Sequence, residues 1–449
     1  MAVRTASHIC AIFCLLIVSA LSAWTQQKPT PLVPEASAQD GGTLKFVVIV
    51  SRHGVRSPTG KTDTLNQYSK QPWPAWPVPP GYLTAHGFQL MKLFGAYDRE
   101  LLAAQNLLSK DGCEAAAHMR IYADSDQRTR ETGKALAEGL APGCSIPIVA
   151  LPEGTPDPLF HPIEAGVGNP DRTAATAEVS ARIGGDPATL AIKYKPQLGL
   201  LDNVLKGCLP PSHCAASELS APKSILDTSS ALSPGRFDHL VELRSPLGIA
   251  ATMAENFLLE YSEGMKTSDV GWGQVDAATL RTLLELHTAS QDIMQRTPSI
   301  ARAQSSNMLF HVFASMRQAV SGQNVPGALT RVDDKLLVLA GHDTNLANIA
   351  GALGFSWDED GRRNDTPPGG ALVFELWSLN NTKDYFVRVL YTAQTLDQMR
   401  SSIRLSLANP PARVNVEVPA CNSLNGICSW MAFDAIGKRV IDPAFVVEK

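Results

Sequence analysis

The sequence predicts an α/β fold: a mostly parallel sheet flanked by helices, with a second, mainly helical inserted domain. Three observations lead there. Short apolar runs rich in β-branched residues recur toward both ends of the chain, most are followed by a stretch of helical spacing, and a long middle segment has helical spacing with few strand signals. Strands that alternate with helices build a sheet covered on its faces, which is the α/β layout.

Taken in order, Leu44–Val50 (LKFVVIV) reads as a buried parallel strand, because a sheet covered on both faces needs continuous apolar character. Gly87–Leu108 has helical spacing. Met119–Ala123 (MRIYA) reads as a second strand, with Thr129–Leu140 as the helix after it, and Ile146–Leu151 is a third strand candidate. From Asp157 to Val332 the spacing is helical, as in Ile249–Glu263, Ala277–Gln295 and Ile300–Val320. Leu336–Ala340 (LLVLA) is a fourth strand followed by helical spacing from Asn345, and Ala371–Trp377 and Tyr385–Tyr391 are two more. The expected organisation is a core of residues 44–156 and 333–449 interrupted by a helical insertion, 157–332.

The chain has 449 residues, 18% of them charged and 44% hydrophobic, with a net charge of -4. That composition is globular. It lacks the basic excess of a nucleic-acid binder, so any anion must be held by a local cluster of cations.

The N-terminus has the order of a secretory signal: Arg4, an apolar run from Ile9 to Leu21, then small residues through Ala23. A signal over residues 1–23 and a flexible leader over 24–43 are expected, and no second run is long enough to span a bilayer. Of eight cysteines, Cys10 and Cys14 fall in the signal. The remaining Cys113, Cys144, Cys208, Cys214, Cys421 and Cys428 are an even set, as disulfides in an exported chain require, although such a set allows many connectivities. Proximity favours Cys208–Cys214 and Cys421–Cys428, which leaves Cys113–Cys144. No C-x-x-C spacing accompanies them, so a metal knuckle is not expected. Asn380-Asn381-Thr382 is a glycosylation sequon of low specificity.

The chemistry sits at strand ends, where open α/β sheets bind ligands. The first strand runs into Ser51-Arg52-His53-Gly54-Val55-Arg56-Ser57-Pro58-Thr59, two arginines around one histidine. Guanidinium groups bind phosphate bidentately and stay charged. Taken alone this could be a basic surface turn. The second strand, however, leads to Asp124-Ser125-Asp126-Gln127-Arg128, and the fourth to Gly341-His342-Asp343-Thr344-Asn345. Three strand ends together supply arginines, two histidines and a carboxylic acid.

R-H-G-x-R-x-P with a later H-D resembles the histidine acid phosphatases, branch 2 of the histidine phosphatase superfamily. The likeness runs through VVIVSRHGVRSPT, Trp73–Pro77, QRTRETGKALAEGLAPGC, Pro156–Phe160, Gln295–Pro298, AGHDTNLAN and Asp365–Gly370. It is nearest to the bacterial periplasmic phytase and acid phosphatase subgroup, with glucose-1-phosphatases nearby. The resemblance implies that His53 attacks phosphorus to form a phosphohistidine. It implies that Arg52, Arg56, Arg128 and His342 hold the phosphoryl oxygens, and that Asp343 protonates the leaving group. It also implies the three cysteine pairs above. A fourth pair known in the subgroup is not expected, since Gly168 stands where one partner would be.

Substrate choice is less defined. Thr59 and Thr344 match positions lining the phytate pocket of the subgroup, and Glu255 matches an acidic residue facing the site. A lysine common after the threonine is Gly60 here, with Lys61 next, and a pocket arginine aligns near Gln304, with Arg302 two residues before. The expectation is a periplasmic or secreted phytase or broad acid phosphatase. A sugar-phosphate specialist is the alternative, and a non-catalytic phosphate-binding protein is a remote one because His53 and Asp343 are both present. The expected partner is a small-molecule phosphate monoester, with no cofactor, no metal, no nucleic acid and no membrane after signal removal. The enzyme is expected to be a monomer.

Overall fold

The computed structural model describes residues 42–207, 222–379, 384–421 and 427–448. The signal, the leader up to residue 41, the sequon, and Cys208 with Cys214 lie outside the described residues, whereas Gly42 and Thr43, expected in the leader, begin the first strand because they continue its ladder. Strands in chain order are β1 (Gly42–Arg52), β2 (Met119–Ala123), β3 (Ile148–Val149), β4 (Ala231–Pro234), β5 (Val241–Arg244), β6 (Leu336–Gly341), β7 (Asp358–Glu359), β8 (Arg362–Arg363), β9 (Ala371–Leu379), β10 (Tyr385–Ala393), β11 (Ala412–Val416) and β12 (Ile427–Ser429). Eight of these form one sheet, in the order β11-β10-β9-β1-β6-β2-β3, with β12 paired to β10.

The α/β class stands, and the sheet is mixed rather than mostly parallel. β1, β6, β2 and β3 are parallel neighbours, whereas β9, β10, β11 and β12 pair antiparallel. The physical reason lies in the connections. Parallel strands need a crossover, which the helix Ala85–Ala104 provides between β1 and β2 and the helix Gln127–Leu140 between β2 and β3. The short link between β9 and β10 allows only a hairpin. Two small hairpins, β4–β5 and β7–β8, stand apart from the sheet.

Alternation along β1 sorts its side chains to two faces. Phe46, Val48 and Val50 join Leu309, Val312 and Phe313 of the helix Pro298–Ser321, with the helices Asp343–Leu353 and Trp430–Val440. Val47 and Ile49 join Phe94, Leu136 and Leu140 on the other face. A period of two makes this division automatic. The helix Pro298–Ser321, in the middle stretch of the sequence, thus packs on the sheet. The helices Lys195–Leu205, Pro246–Ser262 and Ala277–Met294 share a separate apolar cluster that includes Leu201, Phe257 and Leu284. Cys113–Cys144 and Cys421–Cys428 are disulfide-bonded, with Cα atoms 5.2 Å and 5.4 Å apart.

Candidate active site

Register brings the strand ends together. β1 pairs Arg52 with Gly341, and β2 pairs Ala123 with Ala340. The next residues of the three strands are His53, His342 and Asp124. The ladder runs on into them, since His53 N–H donates to Gly341 O at 2.9 Å and Asp124 N–H donates to Ala340 O at 3.1 Å. The loop before β9 closes the same end: Arg52 N–H donates to Gly370 O at 2.8 Å and Gly369 N–H donates to His53 O at 2.9 Å. Gly54 lets the loop after β1 approach the helix Ala85–Ala104 closely, because a Cβ there would lie 2.9 Å from Gly87 O.

His53 is buried. Its Nδ1 lies 2.8 Å from Gly54 O, and Arg56 Nε–H donates to its Nε2 at 3.4 Å. Burial, then the charges of Arg128, Arg52 and Arg56, hold its pKa well below the ordinary histidine value, so the ring is neutral.

Arg52 Nη1 donates to Thr366 O at 2.5 Å, and its Nη2 pairs with Glu255 Oε1. Arg56 Nη2 pairs with the same oxygen at 3.0 Å. Burial works against the Glu255 charge, but Arg56 and Arg52 outweigh it and lower its pKa. Asp343 opens the helix Asp343–Leu353, where the helix dipole favours negative charge. Its Oδ2 accepts from Gln291 Nε2 at 2.9 Å and lies 3.8 Å from both Arg52 Nη2 and His287 Nε2. Burial opposes its charge too, yet Arg52, His287, Arg56 and His342 keep it ionised.

On the opposite side, Arg128 Nη2 pairs with Asp126 at 2.5 Å and lies 3.4 Å from His342 Nδ1. His342 Nε2 lies 2.6 Å from Asp124 Oδ2, and its backbone N–H donates to Asn345 Oδ1 at 2.9 Å. The same Asp124 oxygen lies 3.2 Å from His161 Nε2. The ligand atoms of Asp124, His161 and His342 lie within 4.8 Å of one another, a spacing that could hold an ion. In this arrangement the carboxylate oxygen already serves both rings.

Arg52, His53, Arg56, Arg128, His342, Asp343 and Glu255 therefore converge. The other pocket residues divide. Thr59 and Arg128 both flank Gly81, with Thr59 exposed. Thr344 shares a small cavity with His161, Asp238 and Gln304. Lys61 is exposed and faces a separate groove beside Glu242 and Arg244. Arg302 is exposed and pairs with Asp442 at 3.6 Å, away from that cavity. Gln304 faces the cavity instead, since two residues along a helix turn the side chain to nearly the opposite side. Sequence reasoning missed His161, Asp238, His287, Gln291 and Thr366 as members of the site. Asp124 carried a signal, its place directly after a strand. The others sit in turns and helices whose facing no sequence pattern specifies.

The model of the histidine phosphatase superfamily (branch 2) matches residues 43–204 and 238–392. The phytase AppA of Escherichia coli (strain K12) is 36% identical over 427 residues, covering 92% of this chain and 96% of that protein. A glucose-1-phosphatase of Providencia rettgeri is 30% identical over 426 residues, covering 92% of this chain and 96% of that protein. The structure of Hafnia alvei phytase in complex with tartrate superposes with a TM-score of 0.80 at 35% identity, covering 91% of this chain and 99% of that one.

Proposed function

The chain belongs to the histidine phosphatase superfamily, branch 2, and is a phosphoric monoester hydrolase; we propose that it works outside the cytoplasm as an acid phosphatase of broad range that includes phytate, with His53 as nucleophile. The observation that carries the reading is the convergence of Arg52, Arg56, Arg128 and His342 around a neutral, buried His53.

His53 Nε2 attacks phosphorus while the ester P–O bond breaks, and the leaving oxygen takes a proton from Asp343. Water then attacks the phosphohistidine, giving its proton to Asp343 as the P–N bond breaks, and inorganic phosphate leaves. The arginines and His342 meet charge as it builds on the phosphoryl oxygens. Arg52 and its neighbours keep Asp343 ionised. A bound phosphate dianion adds like charge beside Asp343 and engages the same arginines, which raises its pKa. Substrate thus prepares its own acid, most readily at acidic pH. The phosphate also takes over the arginine contacts that Glu255 makes.

Export rests on the signal-like N-terminus and on the two disulfides, which persist in oxidising compartments. For the ester, the relatives include both phytases and glucose-1-phosphatases. Gln304, neutral beside Thr344, favours uncharged substrate rings on that side and supports a second reading as a sugar-phosphate phosphatase. Phosphate release from phytate, glucose 1-phosphate and p-nitrophenyl phosphate at acidic pH tests both. Turnover of phytate within about tenfold of the best substrate in kcat/KM supports the first reading, since one contact is worth about that factor. A strong bias to glucose 1-phosphate supports the second, and no release from any ester overturns both.

A further inference from the structure

We propose that His161 is a positioning residue: by holding Asp124 as a turned, two-donor carboxylate it fixes the ring of His342 against the phosphoryl group. The inference rests on the reading above that His342 holds that group.

The geometry is a chain of contacts. His161 Nδ1 lies 3.1 Å from Asp238 Oδ2, and its Nε2 lies 3.2 Å from Asp124 Oδ2. Ionised carboxylates only accept hydrogen bonds, so a ring facing one at each nitrogen carries both protons. Burial would remove that charge, but the bonds to Asp124 and Asp238 win and raise the pKa to about 10. Asp124 is buried, and among the described residues its Oδ1 has no hydrogen-bond partner. Its Oδ2 therefore carries the load, accepting from His161 and from His342 at 2.6 Å. With Nε2 of His342 committed to Asp124, its Nδ1 is left on the side of Arg128, 3.4 Å from Nη2.

The turn that presents His161 is clamped. His161 N–H donates to Asp157 O at 2.7 Å, Asn307 Nδ2 donates to Pro158 O at 2.7 Å, and Asn345 Nδ2 donates to Phe160 O at 2.8 Å. The imidazolium is thus held in place before substrate arrives, with its ring centroid 4.9 Å from that of His342. The titratable groups around it are Asp124 and His342 at the strand ends, Asp238 and His239 in the turn before β5, and Glu164 on its own turn. Gln304 steadies the outer carboxylate, donating to Asp238 O at 2.6 Å and to Oδ1 at 3.2 Å.

Without His161, Asp124 would keep one side-chain donor in a buried setting. Its pKa would rise, and it would gain a proton in the acidic range where the enzyme works. His342 would then lose its anionic partner and bind phosphate less well.

The test compares His161→Asn, His161→Lys, Asp238→Asn and His342→Ala with the wild type. The readouts are the inhibition constant of inorganic phosphate and kcat/KM for p-nitrophenyl phosphate across acidic pH. His161→Asn should weaken phosphate binding about tenfold, the scale of a small misplacement, and move the acid limb of the profile to higher pH. His161→Lys, which keeps a cation, should recover most of the loss, and Asp238→Asn should shift the limb the same way by less. The proposal is overturned if His161→Asn leaves binding and limb unmoved. It is equally overturned if the loss is the same at every pH and lysine does not restore it. Should His161→Asn fail to fold, Asp238→Asn and His161→Lys still decide. If His342→Ala binds phosphate normally, the reading of His342 fails; if it does not bind but His161→Asn behaves as wild type, only the role of His161 fails.

Discussion

Nδ1 of His53 lies 2.8 Å from the carbonyl oxygen of Gly54. A carbonyl can only accept, so the ring proton is on Nδ1 and the lone pair is on Nε2. Burial and three arginines hold the pKa of His53 well below the ordinary histidine value and so disfavour a second proton on that lone pair. His53→Ala should therefore lower hydrolysis by at least about a thousandfold, as loss of a covalent nucleophile does. Acid quenching of wild type with labelled substrate should trap phosphoenzyme that the variant lacks. Near-normal turnover by purified His53→Ala would falsify the mechanism.

Asp343 should matter in proportion to the basicity of the leaving group. Asp343→Asn is expected to slow an alkyl phosphate much more than p-nitrophenyl phosphate, whose leaving group needs little help. Equal slowing of the two esters would remove Asp343 from the role of acid.

One oxygen of Glu255 pairs with both Arg52 and Arg56, so under the proposed mechanism Glu255 competes with phosphate for them. Glu255→Gln removes the competing charge and should tighten inhibition by inorganic phosphate several-fold. Weaker inhibition would mean that Glu255 serves to hold the arginines in place.

Stability should favour acidic pH. Burial raises Glu260 to about 8, Asp98 to about 7 and Glu359 to about 7. Each stays protonated in the folded state over a range where the unfolded chain ionises, so the folded state binds more protons there. Stability then falls as pH rises from the ordinary carboxylate range to about 8. His161 adds to this trend: its charge stabilises the fold below the ordinary histidine pKa, and that contribution is lost as pH rises toward about 10. Asp124, Asp343 and Glu375, whose pKa values are lowered, act oppositely and weaken the fold only below the ordinary carboxylate range. Glu260 Oε2 accepts from Gly271 N–H at 2.9 Å, a bond that glutamine can keep. Glu260→Gln should raise Tm at about pH 8, by an amount on the order of a few kcal/mol in stability, with little change at about pH 5. Parallel Tm curves for the two proteins would show that Glu260 does not titrate in this way.

The end of the chain is held by a ring packed on a glycine. Gly168 has φ +73°, and a Cβ there would lie 2.3 Å from Phe445 Cδ1 and 2.8 Å from Ala444 O. Gly168→Ala combines backbone strain with a steric clash and should cost about 2–4 kcal/mol. Phe445→Ala should cost about 1–3 kcal/mol by losing apolar burial. Thermal melts of both check this, and an unchanged Tm for Gly168→Ala would refute the contact.

Several elements could be read from local pattern because their cause is local. β2 has the bounds that its apolar pattern predicts, and Leu44–Val50 and Leu336–Ala340 lie within β1 and β6. Continuous apolar runs mark strands buried on both faces. The antiparallel half of the sheet was less clear, because β11 and β12 are short and their neighbours are set by connection length and edge pairing. Arg302 and Gln304 show a second limit: sequence distance is small, but helical phase sends one to Asp442 and the other to Asp238.

By itself the amino-acid sequence determined the α/β class, the family, and the strand ends that carry His53, Arg52, Arg56, Arg128, His342 and Asp343. These follow from runs and motifs a few residues long. Only the tertiary structure decided that Glu255 meets Arg52 and Arg56, that Gln291 and His287 flank Asp343, and that His161 shares Asp124 with His342. Those partners come from turns and helices far away in the chain. Which way each side chain points depends on the packing of whole elements, and that packing leaves no mark within any short window of sequence.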